Sequence, residues 1–162
     1  MNYHSLIAID LAKNSFQACV LDQHSKAIKN IKLSRAKLLP FVLQQHAQKV
    51  AMESCYLANY WGRLFQQHGF TVQLVPAQHV KTFVCGSRND KNDALAIAEA
   101  SQRPNIKFVR VKSIEQQDIQ SLHRVRERLL ASRLRLSNQV RGLLSEYGIV
   151  GAHSNDTWPS GL

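Results

Sequence analysis

Ser5–Leu33 reads SLIAIDLAKNSFQACVLDQHSKAIKNIKL, and the fold turns on how its apolar residues are grouped. Three short runs, Ser5–Asp10, Phe16–Asp22 and Ala27–Leu33, are rich in apolar residues and are separated by the polar, turn-like segments AKNS and QHSK. That grouping predicts three strands in an antiparallel meander. Downstream the pattern changes. Ser34 stands where a cap belongs for a helix over about Ala36–His46, with Pro40 near its start. Lys49–Glu53 (KVAME) reads as a buried strand, Leu57–His68 carries apolar positions at helical spacing up to Gly69, and Phe70–Val75 reads as another strand. Strand, helix and strand in that order argue for parallel pairing through right-handed crossovers. Val80–Gly86 reads as a connection, Asp90–Gln102 as a helix, Ile106–Val111 as a short strand or extended segment, and Ser113–Tyr147 as one long helix. The expected organisation is an α/β domain over residues 1–112, a long helix over 113–148 and an irregular tail over 149–162.

Composition bounds the functions open to such a chain. At 162 residues, 44% of them hydrophobic, it is long enough for one domain of ordinary size with an appendage. No apolar run reaches the length of a membrane span, and MNYHSLIAIDLAKN carries an acid inside its short apolar stretch with no basic segment before it. Both features argue against a membrane span or a signal peptide, and the expected location is the cytoplasm. Cys19, Cys55 and Cys85 are far apart and form no CxxC pair, as suits buried thiols in a reducing compartment. Twenty-one Lys and Arg against eleven Asp and Glu leave a net charge of +10, which makes a polyanion the expected partner.

Within this basic chain the acids are placed unevenly. Residues 1–80 hold only Asp10, Asp22 and Glu53. Asp10 ends the first predicted strand, Glu53 ends the fourth, and Asp90 and Asp93 open the helix that follows the fifth. Three separate elements therefore bring carboxylates towards one edge of one sheet, and strand ends in open α/β sheets are where ligands bind. Residues three apart on a helix share a face, so Asp90 and Asp93 can point together. Clustered carboxylates repel unless a cation neutralises them, and hard oxygen donors suit Mg²⁺ or Mn²⁺. Two such ions form the usual arrangement for phosphodiester cleavage. Each acid also has a plainer reading: Asp10 as a turn residue, Asp90 as a helix cap, Asp93 as a complement to the helix dipole. Glu53 resists it, because a carboxylate at the end of a buried strand needs a partner.

The segments IAIDLAKNSFQACVLD, VAMESCYLANYWGRLFQQHGFTVQLVPAQHVKTF and NDKNDALAIAEA resemble the N-terminal part of DEDD transposases of insertion-sequence family 110, relatives of the Piv invertases. The resemblance runs to about Val150. Its most specific element is the ordered tetrad: an Asp after the first strand, a Glu in MES, then Asp-x-x-Asp-Ala. It implies a RuvC-like, RNase H-like fold in which Asp10, Glu53, Asp90 and Asp93 bind Mg²⁺ for DNA strand cleavage and transfer. It also implies a structured guide RNA as a partner. Family members continue after the long helix into a second domain that supplies a serine nucleophile, whereas GAHSNDTWPSGL after YGIV leaves the family pattern. The sequence is accordingly expected to be a shortened piece, incomplete as a recombinase on its own, and Ser154 and Ser160 are not assigned the serine's role.

The long helix carries Leu122, Leu129, Leu136 and Leu143 every seven residues, with Ile119 and Val140 three positions before the first and last of them. This is a coiled-coil seam, interrupted by Arg126 and Arg133, and it suggests a homo-oligomer. An amphipathic helix folded back on its own domain gives the same stripe. Arg124, Arg128 and Arg135 on this helix, with Lys81, Arg88 and Lys91 around the Asp pair, are the candidate nucleic-acid contacts. Tyr56, Tyr60 and Trp61 fit core packing better than base stacking, and the histidines lack metal-ligand spacing. Two other classes remain. One is a catalytically silent DNA- or RNA-binding module. The other is a kinase- or actin-like nucleotide hydrolase, which needs a glycine-bearing phosphate turn where this chain has LAKNS.

Overall fold

The computed structural model describes residues 4–84 and 89–150. Cys85, Arg88 and the 151–162 end of the expected tail, with Ser154 and Ser160, lie outside the described residues. The chain divides into two compact units, the first ending at Ser113 and the second beginning at Ile114.

The first unit is built on five strands: β1 (His4–Leu11), β2 (Ser15–Leu21), β3 (Ala27–Ser34), β4 (Ala47–Glu53) and β5 (Thr71–Val75). Their order across the sheet is β3-β2-β1-β4-β5. β1, β2 and β3 pair antiparallel, as the meander predicts, whereas β4 runs parallel to both β1 and β5. The turn between β2 and β3 is held by Asp22, whose Oδ1 accepts from the backbone N–H of His24 and Lys26 at 2.9 Å each. With helices on both faces, the sheet has the RNase H-like topology.

Alternation along each strand sorts the core into two layers. Ile7, Ile9, Phe16, Ala18, Val20, Val50, Met52 and Leu74 face one side. There they meet Leu38 and Val42 of α1 (Arg35–Gln44) and Trp61 and Phe65 of α2 (Ala58–Gln67). Leu6, Ala8, Cys19, Leu21, Ala51 and Val75 face the other side, under Val80 of α3 (Ala77–Thr82) and the alanines of α4 (Asp90–Ser101).

The structure departs from the sequence-based expectation in several places. α3 occupies part of what reads as a connection, because Pro76 starts a single helical turn that buries Val80. Ile106–Val111 is extended but makes one isolated bridge, Val109 to Leu74, rather than a strand. It is tied down beside α2 instead. Arg63 donates to the Lys112 carbonyl at 2.8 Å, Lys112 N–H donates to Asn59 Oδ1 at 2.9 Å, and a Cβ on Gly62 would stand 2.8 Å from Val111 Cγ2. Ser34 occupies the N-cap position of α1 without a side-chain cap bond, and Pro40 lies inside that helix. Trp61 is buried as a core residue, but Tyr60 is half exposed and Tyr56 is 72% exposed.

The second unit is dominated by α5 (Ile114–Ser145), a helix of 32 residues, none of them buried. Its seam leucines are open to solvent, Leu122 at 71% and Leu129 at 65%.

α4 sits on small residues. Ala94, Ala96, Ala98 and Ala100 are buried in the layer that also holds Val80 of α3 and the sheet residues Ala8, Cys19 and Ala51, direct neighbours across β1, β2 and β4. Short side chains on both surfaces allow a close approach of helix to sheet. Ala8→Leu inserts three carbons into this fully buried contact and is expected to cost about 1–3 kcal/mol through overpacking. Urea denaturation of the variant should show a lowered midpoint with an unchanged slope.

Candidate active site

The sheet register sets one row of side chains across the end of the sheet. Lys32 on β3 pairs with Gln17 on β2, Gln17 with Asp10 on β1, and Glu53 on β4 with Val75 on β5. The parallel β1–β4 ladder runs as far as Ile9 and Met52, so Asp10 and Glu53 are the next residues along each strand. All five positions alternate with the α1/α2 layer and therefore face α4. The row lies one step beyond the small residues Cys19, Ala8 and Ala51, so the packing that seats α4 ends where the polar side chains begin.

Above the row stands the first turn of α4. Asn89 is its N-cap, accepting from Asn92 N–H at 2.9 Å. The capping role read as an alternative for Asp90 thus belongs to the residue before it, and Asp90 and Asp93 both fall in the first helical turn. Asp93 precedes Ile97 and Ala100, both buried, on the sheet-facing stripe of the helix. Two contacts pin this turn to the hairpin. Lys32 Nζ lies 2.9 Å from Asp90 Oδ2, and Asn30 donates its side-chain amide to the Lys91 carbonyl at 3.1 Å. Asn30 is itself held by Gln17, which is nearly fully buried and donates to Asn30 Oδ1 at 2.6 Å.

Electrostatics ties the four acids together. The Asp10 carboxyl is raised from 3.8 to about 6, first by burial and then by the negative charges of Asp93, Glu53 and Asp90. The backbone N–H of Leu11 opposes this weakly. Residues from β1, β4 and α4 therefore act on one carboxyl at the sheet end. The nearby Cys55 thiol is pushed up by burial, with Glu53 and Asp10 adding to the shift. Among the described residues, no three His, Cys, Asp or Glu side chains converge closely enough to hold an ion. Asp90 turns instead to Lys32. The donor type, hard carboxylate oxygen with a mutual repulsion that a divalent cation would relieve, is the one that suits Mg²⁺ or Mn²⁺.

The expected nucleic-acid contacts are dispersed. Lys81 is exposed in the last turn of α3, which packs on α4, and Lys91 is exposed in the first turn of α4 itself. Arg88 falls outside the described residues. Arg124, Arg128 and Arg135 are exposed on α5, in the second unit. Lys32, Asn30 and Gln17 were not singled out by the sequence. Their signal is the alternation of polar with apolar residues over Ser15–Ala18 and Asn30–Ser34, which acquires meaning once the register places it beside Asp10.

The RNase H-like sheet defines the class of fold, and comparison with known proteins supplies the family. The DEDD transposase family of the IS110 type, described as transposase, matches residues 7–149, and the chain belongs to that family. It is 44% identical over 147 residues to the transposase for insertion sequence element IS1111A of Coxiella burnetii, covering 91% of this chain and 40% of that protein. It is 46% identical over 146 residues to a probable family 20 transposase of Pseudomonas aeruginosa, covering 90% and 43%. With the transposase for insertion sequence element IS1328 of Yersinia enterocolitica the identity is 39% over 145 residues, covering 90% and 43%. The chain thus spans about two-fifths of the length of the curated relatives it matches. No helix among the described residues is long and apolar enough to cross a membrane.

The raised Asp10 carboxyl has a consequence for stability. Because the folded state holds this proton more tightly than the unfolded chain, ionisation of Asp10 opposes folding. The effect is absent below about pH 4, grows as pH rises through 6, and is constant above. Asp10→Asn, which mimics the protonated form, is expected to match the wild type near pH 4 and to exceed it at pH 8 in chelator-containing buffer. The margin, discounted for partial exposure, is on the order of 1 kcal/mol, or roughly 4 °C in a domain of this size. Thermal melts of both proteins across that range check the sign.

Proposed function

We propose that the first unit is the carboxylate-bearing part of a metal-dependent DNA strand cleavage and transfer enzyme, with Asp10, Glu53, Asp90 and Asp93 as ligands of Mg²⁺ or Mn²⁺, two ions being the arrangement suited to the task. The observation that carries this reading is the Asp10 carboxyl, at the end of β1, raised first by burial and then by the charges of three acids delivered from two other elements. Membership of a transposase family supports it. When bound, the ions supply Lewis acidity to the attacking and leaving oxygens of a phosphodiester. The chain's own residues supply position. β1 and β4 hold Asp10 and Glu53 at adjacent strand ends, and α4 brings its Asp pair over them. Rigid elements of this kind keep ligands aligned better than loops do.

The partner is DNA, by the net charge of +10 and by the family. A structured guide RNA is the further partner that the family resemblance implies, and the cytoplasm is the place of action. Lys81 and Lys91 would hold phosphate near the acids, while Arg124, Arg128 and Arg135 would do so along α5. Because the chain spans about two-fifths of its relatives, binding and cleavage are assigned to it, and complete recombination to a longer protein.

α5 completes the reading. A helix of 32 residues with an exposed leucine seam gains by burying that seam, and the heptad spacing fits a second copy of itself.

Two measurements follow. On supercoiled plasmid, the chain is expected to nick slowly with Mn²⁺ without exchanging strands. Glu53→Gln should lower nicking by at least about a hundredfold, the upper end of what loss of an outer partner of a metal ligand costs. Nicking unchanged in Glu53→Gln would leave a silent binding module as the better description. In sedimentation, Leu129→Asp combined with Leu136→Asp is expected to convert an oligomer to a monomer while the α/β unit keeps its melting transition. A wild type that is monomeric at high concentration would end the coiled-coil reading.

A further inference from the structure

Lys32 stands on β3 in the same cross-sheet row as Gln17 and Asp10, on the α4 face. Its ammonium lies 2.9 Å from one oxygen of Asp90, a residue assigned above as a metal ligand. Two features separate this contact from an ordinary surface ion pair. It joins residues 58 apart in sequence, from two elements, and its carboxylate belongs to one of the three acids whose charges act on Asp10. It is also not the sole tie of the helix to the hairpin. The hydrogen bond from Asn30 to the Lys91 carbonyl, backed by buried Gln17, holds the first turn of α4 without help from Lys32, so the lysine can let go while the turn stays in place.

We propose that Lys32 is a placeholder cation for the carboxylate site: it holds Asp90 until a divalent ion arrives, competes with that ion for the same oxygen, and is displaced by it. This inference rests on the metal-binding reading above and adds a residue to it. An ammonium hydrogen-bonded to Asp90 and a divalent ion ligated by that same carboxylate would be like charges only a few ångströms apart, which is strongly unfavourable near a half-buried site. Binding the ion therefore requires the lysine to swing away. The cost is small, since both partners are more than half exposed and four flexible carbons carry the charge. Asp90 is thereby held towards the hairpin, and the negative charge at the sheet end is partly balanced when no ion is bound. Lys32 is a positioning residue in this scheme, acting through Asp90.

The test is Mn²⁺ binding to the full 162-residue chain, read from the loss of the free-ion paramagnetic resonance signal, with thermal melts in parallel. Lys32→Gln removes the competing charge and is expected to tighten Mn²⁺ binding roughly three- to tenfold at low salt. Its melting temperature should fall in chelator and return to the wild-type value at saturating Mn²⁺. Lys32→Arg should restore wild-type affinity. Lys29→Gln, which removes the same charge from an exposed residue of β3 on the opposite face, should leave affinity within about twofold, since solvent screens it. Affinity that is unchanged or weaker in Lys32→Gln, while Asp10→Asn still weakens binding, overturns the placeholder and leaves the metal site standing. Equal tightening in Lys29→Gln also overturns it, because net charge alone would then account for the effect. No Mn²⁺ uptake by the wild type overturns the metal reading, and the placeholder with it.

Discussion

The close seating of α4 on the sheet is the contact on which the candidate site depends. Alanines of the helix share one buried layer with a sheet face whose central positions are Ala8, Cys19 and Ala51. Larger side chains on either surface would lift the helix, and its first turn would rise away from Asp10 and Glu53. Alanine also has the highest helix propensity, so the residues that permit the close approach stabilise the element that makes it. The apolar contact ends at the small row, and one step further along each strand the same face becomes polar. Core and candidate site are thus consecutive rows of one surface.

That arrangement places an electrostatic strain at the edge of a stable core. Burial and the charges of Asp93, Glu53 and Asp90 all raise the Asp10 carboxyl, in a chain whose overall charge is strongly positive. The surplus of cations elsewhere does not relieve it, because solvent and salt screen exposed charges that lie more than about 10 Å away. Among the described residues the cation seen against these acids is Lys32, and it touches Asp90 rather than Asp10. The hairpin that carries Lys32 also carries Gln17 and Asn30, whose hydrogen bonds fix the helix turn independently. Docking by neutral amides and charge balance by a mobile lysine are therefore divided between different residues of the same two strands.

The second unit follows different physics. None of the residues of α5 is buried within its own unit, and helix propensity with neighbouring side-chain pairs supports it there. Its arginines are spread along the helix, as befits contact with an extended polyanion more than with a compact ligand.

Local pattern in the sequence determined much of this protein. The hairpin strands, β4, β5, α2, α4 and α5 are legible because alternation and helical spacing are properties of neighbouring residues, and the order of the four acids along those elements is legible for the same reason. α3 was not, since a single turn begun by Pro76 has too few residues to show a period. Extended Ile106–Val111 looked like a strand because its apolar residues do pack, but beside α2 and against Gly62 rather than in a ladder. Only the tertiary structure decided that Asn89, not Asp90, caps α4, and that Lys32, Asn30 and Gln17 belong beside the acids. The reason is register. Gln17 lies seven residues from Asp10 and Lys32 lies 58 from Asp90, so nothing local relates them, and pairing across the hairpin and packing of a distant helix bring them together.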